Sequence, residues 1–213
     1  FILSFSITLP YQAFTFKKTG KFFYMSNISG ETMYWMSTPF EREYGDWQNL
    51  NFDSNCQINS TQEEFCNKQF FERNHGEFID SIKELNMIEK NDALFKKGIQ
   101  NIISNPFKYL RNIFSNISRL FFNYPGTYMY QSDKTILRII PNSIILNLMI
   151  FSFFITCINI KRIPEEMIYS LFFIFFYLIL SSLVTAYARM FVVVVPYILI
   201  WIGYSVKIWK NSS

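Results

Sequence analysis

Residues 139–160 read IIPNSIILNLMIFSFFITCINI, 22 positions without one charged side chain. Two similar runs follow at once, MIYSLFFIFFYLILSSLVTAYA at 167–188 and MFVVVVPYILIWIGYSV at 190–206. The last reaches residue 209 if Lys207 lays its stem along the apolar surface and keeps its charge in water. A helix needs ~20 apolar residues to cross the hydrocarbon core of a bilayer. The expected fold class is therefore an all-α multi-pass membrane protein. Its transmembrane helices are placed at about 139–160, 167–188 and 190–209, within a C-terminal region 136–213.

Upstream of these runs the character changes. The chain opens FILSFSITL, and residues 1–9 read as the end of a transmembrane helix closed by Pro10, without the basic flank of a signal peptide. The expectation is that these 213 residues are the C-terminal part of a longer protein. Residues 10–135 are then an outer loop or lid region, mainly helical. Residues 10–138 hold 15 basic and 14 acidic side chains, a nearly neutral balance that gives nucleic acid no patch to bind. No CxxC or His-rich pattern marks a metal site, and no cofactor is expected. Cys56 and Cys66 lie ten positions apart; in an oxidising compartment they could pair, and two separate thiols is the other reading.

Short loops decide orientation. Lys161 and Arg162 follow the first run, Lys207 and Lys210 follow the last, and the hairpin between the second and third offers only Arg189. The positive-inside tendency puts 161–166 and the C-terminus in the cytoplasm, with residues 10–135 and the Arg189 hairpin outside, in a cell (inner) membrane.

Within the outer region, Phe22 to Tyr34 read as short extended pieces around a turn, and 36–60 as a loop. Short helices are expected over about 62–73 and around Phe78, Ile82 and Leu85. A longer one starts near Asn91-Asp92 and ends at Pro106. Residues 107–124 are amphipathic. Tyr109, Leu110, Ile113, Phe114, Ile117, Leu120 and Phe121 make one side, and Lys108, Arg111 and Arg119 punctuate the other. Two readings stay open for this segment: a helix lying in the membrane interface, or one packed on the bundle.

Several stretches, in order, resemble the C-terminal half of GT-C glycosyltransferases, multi-pass enzymes that use a polyprenyl-phosphate sugar donor and include protein O-mannosyltransferases and the lipid A aminoarabinose transferase. Leu9-Pro10-Tyr11 followed by Thr19-Gly20-Lys21-Phe22 is similar to the family's exit from a span into the outer loop. Ser26, the run Gly30-Glu31-Thr32-Met33-Tyr34-Trp35, Thr38-Pro39 and Gly45 continue it. Asn91-Asp92-Ala93-Leu94 and Asn105-Pro106-Phe107-Lys108-Tyr109-Leu110 resemble its helix pair, and Ala188-Arg189-Met190 with Pro196 the start of a late span. Phe14 stands where the family has an Arg, and Met190 where it has a Tyr.

The resemblance implies transfer of a sugar from a polyprenyl-phosphate donor to a cell-envelope acceptor, either lipid, glycan or protein. It also implies a catalytic carboxylate in an early outer loop, so no catalytic residue is assigned in this chain. A non-catalytic envelope scaffold or transport-associated subunit is the alternative. Arg189 is the candidate for holding the lipid phosphate, because an Arg fork binds phosphate bidentately and a fixed cation stabilises the departing phosphate. Lys134 and Arg138, before the first full span, could line a second edge. Lys17, Lys18 and Lys21 are similarly placed. His75 and the pairs Glu41/Glu43 and Glu63/Glu64 are expected to be solvated.

Overall fold

The computed structural model describes residues 2–22, 24, 28–50, 70–127 and 134–212; Cys56, Cys66, Glu63 and Glu64 lie outside them. The described residues are mostly helical and contain no strand. The helices are α1 (Ile2–Thr19), α2 (Ser29–Met36), α3 (Glu77–Ser81), α4 (Met87–Ser104), α5 (Pro106–Phe122), α6 (Lys134–Ile158), α7 (Glu165–Val184) and α8 (Ala188–Ser212). The chain divides into two compact units: residues 1–37 with 47–105, and residues 38–46 with 106–213.

In the first unit α1 does not stop at Pro10 but runs on to Thr19, with Lys17 and Lys18 in its last turn. The extended pieces expected before Tyr34 are replaced by helix α2 over its described part. The reason is tertiary. α2 packs on α4, and Gly30 lets the two backbones approach so closely that a Cβ there would sit 2.0 Å from the Asn91 carbonyl oxygen. The Gly30 N–H donates to Asn91 Oδ1 at 2.7 Å. Gly98 opens a second gap on α4 for Met33. Asn91 is thus an interior residue of α4, not its cap. The helix begins four positions earlier, where Asn86 and Glu89 form a reciprocal capping box.

A helical run from Phe70 passes through a π turn, Glu72–Gly76, into α3. That turn points His75 inward. Its side chain is 1% exposed, against the expected surface position. Its Nδ1 is 2.6 Å from the Tyr34 hydroxyl, and the rings of Trp35 and Phe71 surround it.

The second unit is built on α6, α7 and α8, the three helices long and apolar enough to cross a membrane. The qualifying stretches are Ile139–Ile158, Glu165–Val184 and Ala188–Asn211, within a few residues of the charge-free runs. Their shared core holds Met149, Leu171, Leu178, Phe191, Ile198 and Trp201. The Trp201 indole donates to the Thr156 hydroxyl at 2.9 Å, tying α8 to α6. Phe154, Phe173, Val192 and Ile200 are among many large apolar side chains left on the outside.

The bundle has two distinct ends. At one, the Tyr204 hydroxyl donates to the Arg162 carbonyl, Ile155, Ile163 and Ile208 cluster, and Lys161, Arg162, Lys207 and Lys210 gather. At the other, α5 lies across all three helices. Asn142 of α6 donates to the Phe121 carbonyl. Asn116 Nδ2 reaches the Ser182 carbonyl and the Tyr109 hydroxyl the Leu183 carbonyl, both 3.0 Å, on the last turn of α7. The Phe121 ring meets Phe191 of α8 edge-on at 4.9 Å.

Candidate functional site

The end covered by α5 is where the polar chemistry collects. α5 starts with Pro106, whose missing N–H costs nothing at the first helical position. Its buried polar side chains are Lys108, Asn112, Asn116 and Arg119, spaced four, four and three apart, so they line one face of a 3.6-residue helix. Of the basic residues that punctuate the polar side, Lys108 and Arg119 are thus buried, while Arg111 is exposed.

Each member of this stripe finds a backbone oxygen. Lys108 Nζ donates to the Glu43 carbonyl at 2.6 Å and to Asn112 Oδ1 at 2.7 Å. Asn112 Nδ2 donates to the Thr38 carbonyl at 3.1 Å. Arg119 donates to the carbonyls of Pro125 and Tyr44, each at 2.9 Å, and to Asn116 Oδ1. The stripe thus holds segment 38–46 on α5. Gly45, with φ +74°, supplies the left-handed residue that the segment's turn requires. The turn carries Asp46 to Thr127, whose backbone N–H donates to it at 2.9 Å and whose hydroxyl also donates to it. Glu43 is 1% exposed and accepts from Thr38, whereas Glu41 is exposed and pairs with Arg111 at 3.2 Å. The two glutamates expected on one solvated face have opposite environments.

Burial pushes the Lys108 ammonium below its usual range, partly offset by Glu41 and Glu43. Burial also lowers Arg119, opposed by Asp46 and Tyr187; a guanidinium still keeps its charge. Arg119 Nε is buried and has no hydrogen-bond partner among the described residues.

Arg189 is the second residue of α8, exposed, with its guanidinium 5.1 Å from the centre of the Tyr187 ring. Tyr187 is half-buried, and burial raises the pKa of its phenol. A hydrogen bond with Thr185 and the charges of Arg189 and Arg119 pull the other way, while Asp46 adds to the rise. The phenol is consequently a neutral O–H donor at pH 7, within electrostatic reach of two guanidiniums and one carboxylate. That balance is net positive. The positive end of the α8 dipole adds to it, since a helix N-terminus favours anions and disfavours the cation of Arg189. An anion placed between Arg189 and the first turn of α8 would relieve both.

Of the residues proposed from sequence, Arg189 is thus in a cationic cluster. Lys134 and Arg138 lie in the first turns of α6, at the same end of the bundle; their side chains are outside the description. Asp46, Arg119 and Tyr187 were not read as site residues. The adjacency of Tyr187 to Arg189 was the one available signal, because the other two reach the cluster only through tertiary folding.

Apolar surface adjoins this end. A recess of about 420 Å³ between α5, α6 and α7 is lined by residues such as Ile117, Phe121, Leu146, Met149, Phe175 and Leu183. Its one polar side chain, Ser182, already donates to the Leu178 carbonyl. A shallower groove of about 460 Å³ runs along Phe176, Leu180, Thr185 and Met190, the residue after Arg189. No family model, no curated protein and no solved structure matches this chain.

Proposed function

We propose that α6, α7 and α8 cross a cell membrane, and that the cluster around Arg189 holds the phosphate of a lipid-linked sugar. In this reading the chain belongs to a GT-C-like glycosyltransferase acting on a cell-envelope acceptor. The observation that carries the reading is the position of Arg189. Between Glu166 and Lys207 it is the only charged residue, and it stands in the first turn of the second of two successive apolar helices, beside a neutral tyrosine donor. A bilayer would bring lipid head groups to that level. The apolar groove ending at Met190 offers the attached hydrocarbon a path along α7. The four basic residues at the opposite end then face the cytoplasm.

In the mechanism, the leaving group is a lipid phosphate whose negative charge grows as the sugar departs. Arg189 would offer it two N–H donors and Tyr187 one O–H, in surroundings of low dielectric where such contacts count for more. The nucleophile's base is not among these residues. The test is sugar transfer from a polyprenyl-phosphate donor by the full-length protein in its membrane. Arg189→Ala is expected to lower turnover about 100-fold, in line with removal of one transition-state donor, at unchanged expression. Unaltered turnover would reduce Arg189 to a membrane anchor. A non-catalytic scaffold or transport-associated subunit is the second reading. The observation favouring it is that Glu43 and Asp46, the buried carboxylates at this end, are both engaged in structural hydrogen bonds. That reading requires the absence of turnover in the unmodified protein.

A further inference from the structure

α5 wears its amphipathicity inside out. A helix on a water-soluble bundle buries its apolar stripe and exposes its polar one. Here Lys108, Asn112, Asn116 and Arg119 face inward, with their polar heads on backbone carbonyls. Phe107 (81% exposed), Leu110, Phe114 (70% exposed) and Ile117 face outward, three, four and three positions apart along one continuous stripe. Arg111, paired with Glu41, sits beside that stripe as a wet flank.

We infer that this outward stripe docks into the lipid bilayer, so that α5 lies in the plane of the membrane surface as an interfacial helix. The inference rests on the membrane-insertion part of the proposed function, and is independent of the sugar chemistry. Two observations select lipid as the occupant. First, the hydrogen bonds and the ring contact that tie α5 to the three candidate spans lie near their shared end, at Asn142, at Ser182 and Leu183, and at Phe191. That is the depth at which head groups meet acyl chains. Secondly, its apolar surface does not stop at the helix edge. Ile113 and Ile117 continue through the recess onto Leu146 and Ile150 of α6 and Ile179 of α7, and Ile150 and Ile179 open to the exposed sides of those helices. The hydrocarbon that bathes the spans would therefore run up under α5 without crossing a polar rim. A helix in this position seals the polar stripe from the lipid, and sets Arg119 and segment 38–46 at the end of the bundle that carries Arg189.

The test uses the full chain with Cys56, Cys66 and Cys157 replaced by Ser, reconstituted in phosphatidylcholine vesicles. A nitroxide is attached in turn through Phe107→Cys, Leu110→Cys, Phe114→Cys, Arg111→Cys and, as a reference in mid-span, Phe173→Cys. Collision with oxygen, which concentrates in lipid, is compared with collision with a water-soluble nickel chelate. The expectation is oxygen dominance at 107, 110, 114 and 173, and at least a tenfold swing toward the chelate at 111. Chelate access at 107, 110 and 114 with oxygen dominance at 173 would overturn the docking alone; chelate access at 173 would overturn the membrane reading beneath it. Shielding from both agents at 107, 110 and 114 would show a protein cover, from a second copy or another segment, and also overturn it. A photoreactive benzophenone side chain in place of Phe114, in protein with its native cysteines, gives an independent reading: adducts to phospholipid are expected, and adducts to protein alone would sink the proposal.

Discussion

Arg119 and Arg189 are the same residue type within one cluster, yet the physics gives them different work. Arg119, 4% exposed, is spent on three oxygens of the fold. Its replacement leaves the Tyr44 and Pro125 carbonyls without that donor. Arg119→Met is therefore expected to cost about 2–3 kcal/mol of stability, read as a lower unfolding temperature in detergent. Arg189 is exposed and, among the described residues, its guanidinium lies against the Tyr187 ring, so Arg189→Ala should leave that temperature unchanged within the ~0.5 kcal/mol typical of surface sites. A residue-level pH effect belongs to Glu31. Burial raises its carboxyl above the ordinary 4.5, an effect larger than the opposing hydrogen bond from the Leu50 backbone. Between 4.5 and the raised value the folded chain binds more protons than the unfolded one, so stability falls as pH rises through that window. Glu31→Gln is expected to flatten this slope in denaturant titrations taken from pH 4 to 7.

At the scale of elements, helix α2 and helix α5 teach opposite lessons about pattern. α2 carries no strong amphipathic signal, and its residues next to Asn27 and Gly30 suggest a turn. It is helical because Gly30 and Gly98 allow it to seat on α4 and bury Tyr34, Trp35 and Met36. Gly30→Ala forces a methyl into the Asn91 carbonyl and is expected to cost at least about 1–3 kcal/mol; Gly76→Ala, whose added methyl would meet only the Glu72 Cβ at 3.8 Å, is the control in the same melting experiment. α5 has a strong periodic signal that sequence reading located to within two residues. The period names a face, however, not its environment. Which face turns inward depends on whether carbonyls or hydrocarbon wait there, and the carbonyls of Thr38, Glu43 and Tyr44 arrive from 60 or more positions away.

For the whole molecule, the deciding contrast is between the few buried positions of the candidate spans and their many outward Phe, Ile, Leu and Val side chains. In water such a surface would drive aggregation; in a bilayer it is the solvent-matched surface. Phe173, 67% exposed in the middle of α7, discriminates. Phe173→Arg is expected to cost about 2.5–3.5 kcal/mol of membrane insertion, seen as loss from the membrane fraction. A protein that kept α7 in water would gain solubility from the same change.

The charge-free runs determined on their own that three long apolar helices exist, and nearly where they begin and end, because length and the absence of charge are local properties of a chain. Local chemistry also marked Pro106 as the boundary between two helices and Arg189 as the lone cation between two charge-free runs. Tertiary structure decided the rest. It buried His75 through a π turn, started α4 at Asn86 rather than Asn91, turned the polar side of α5 inward, and assembled Asp46, Arg119, Tyr187 and Arg189 at one end. Those outcomes depend on which distant carbonyl, ring or backbone comes close enough to satisfy a polar group, and no window of neighbouring residues contains that information.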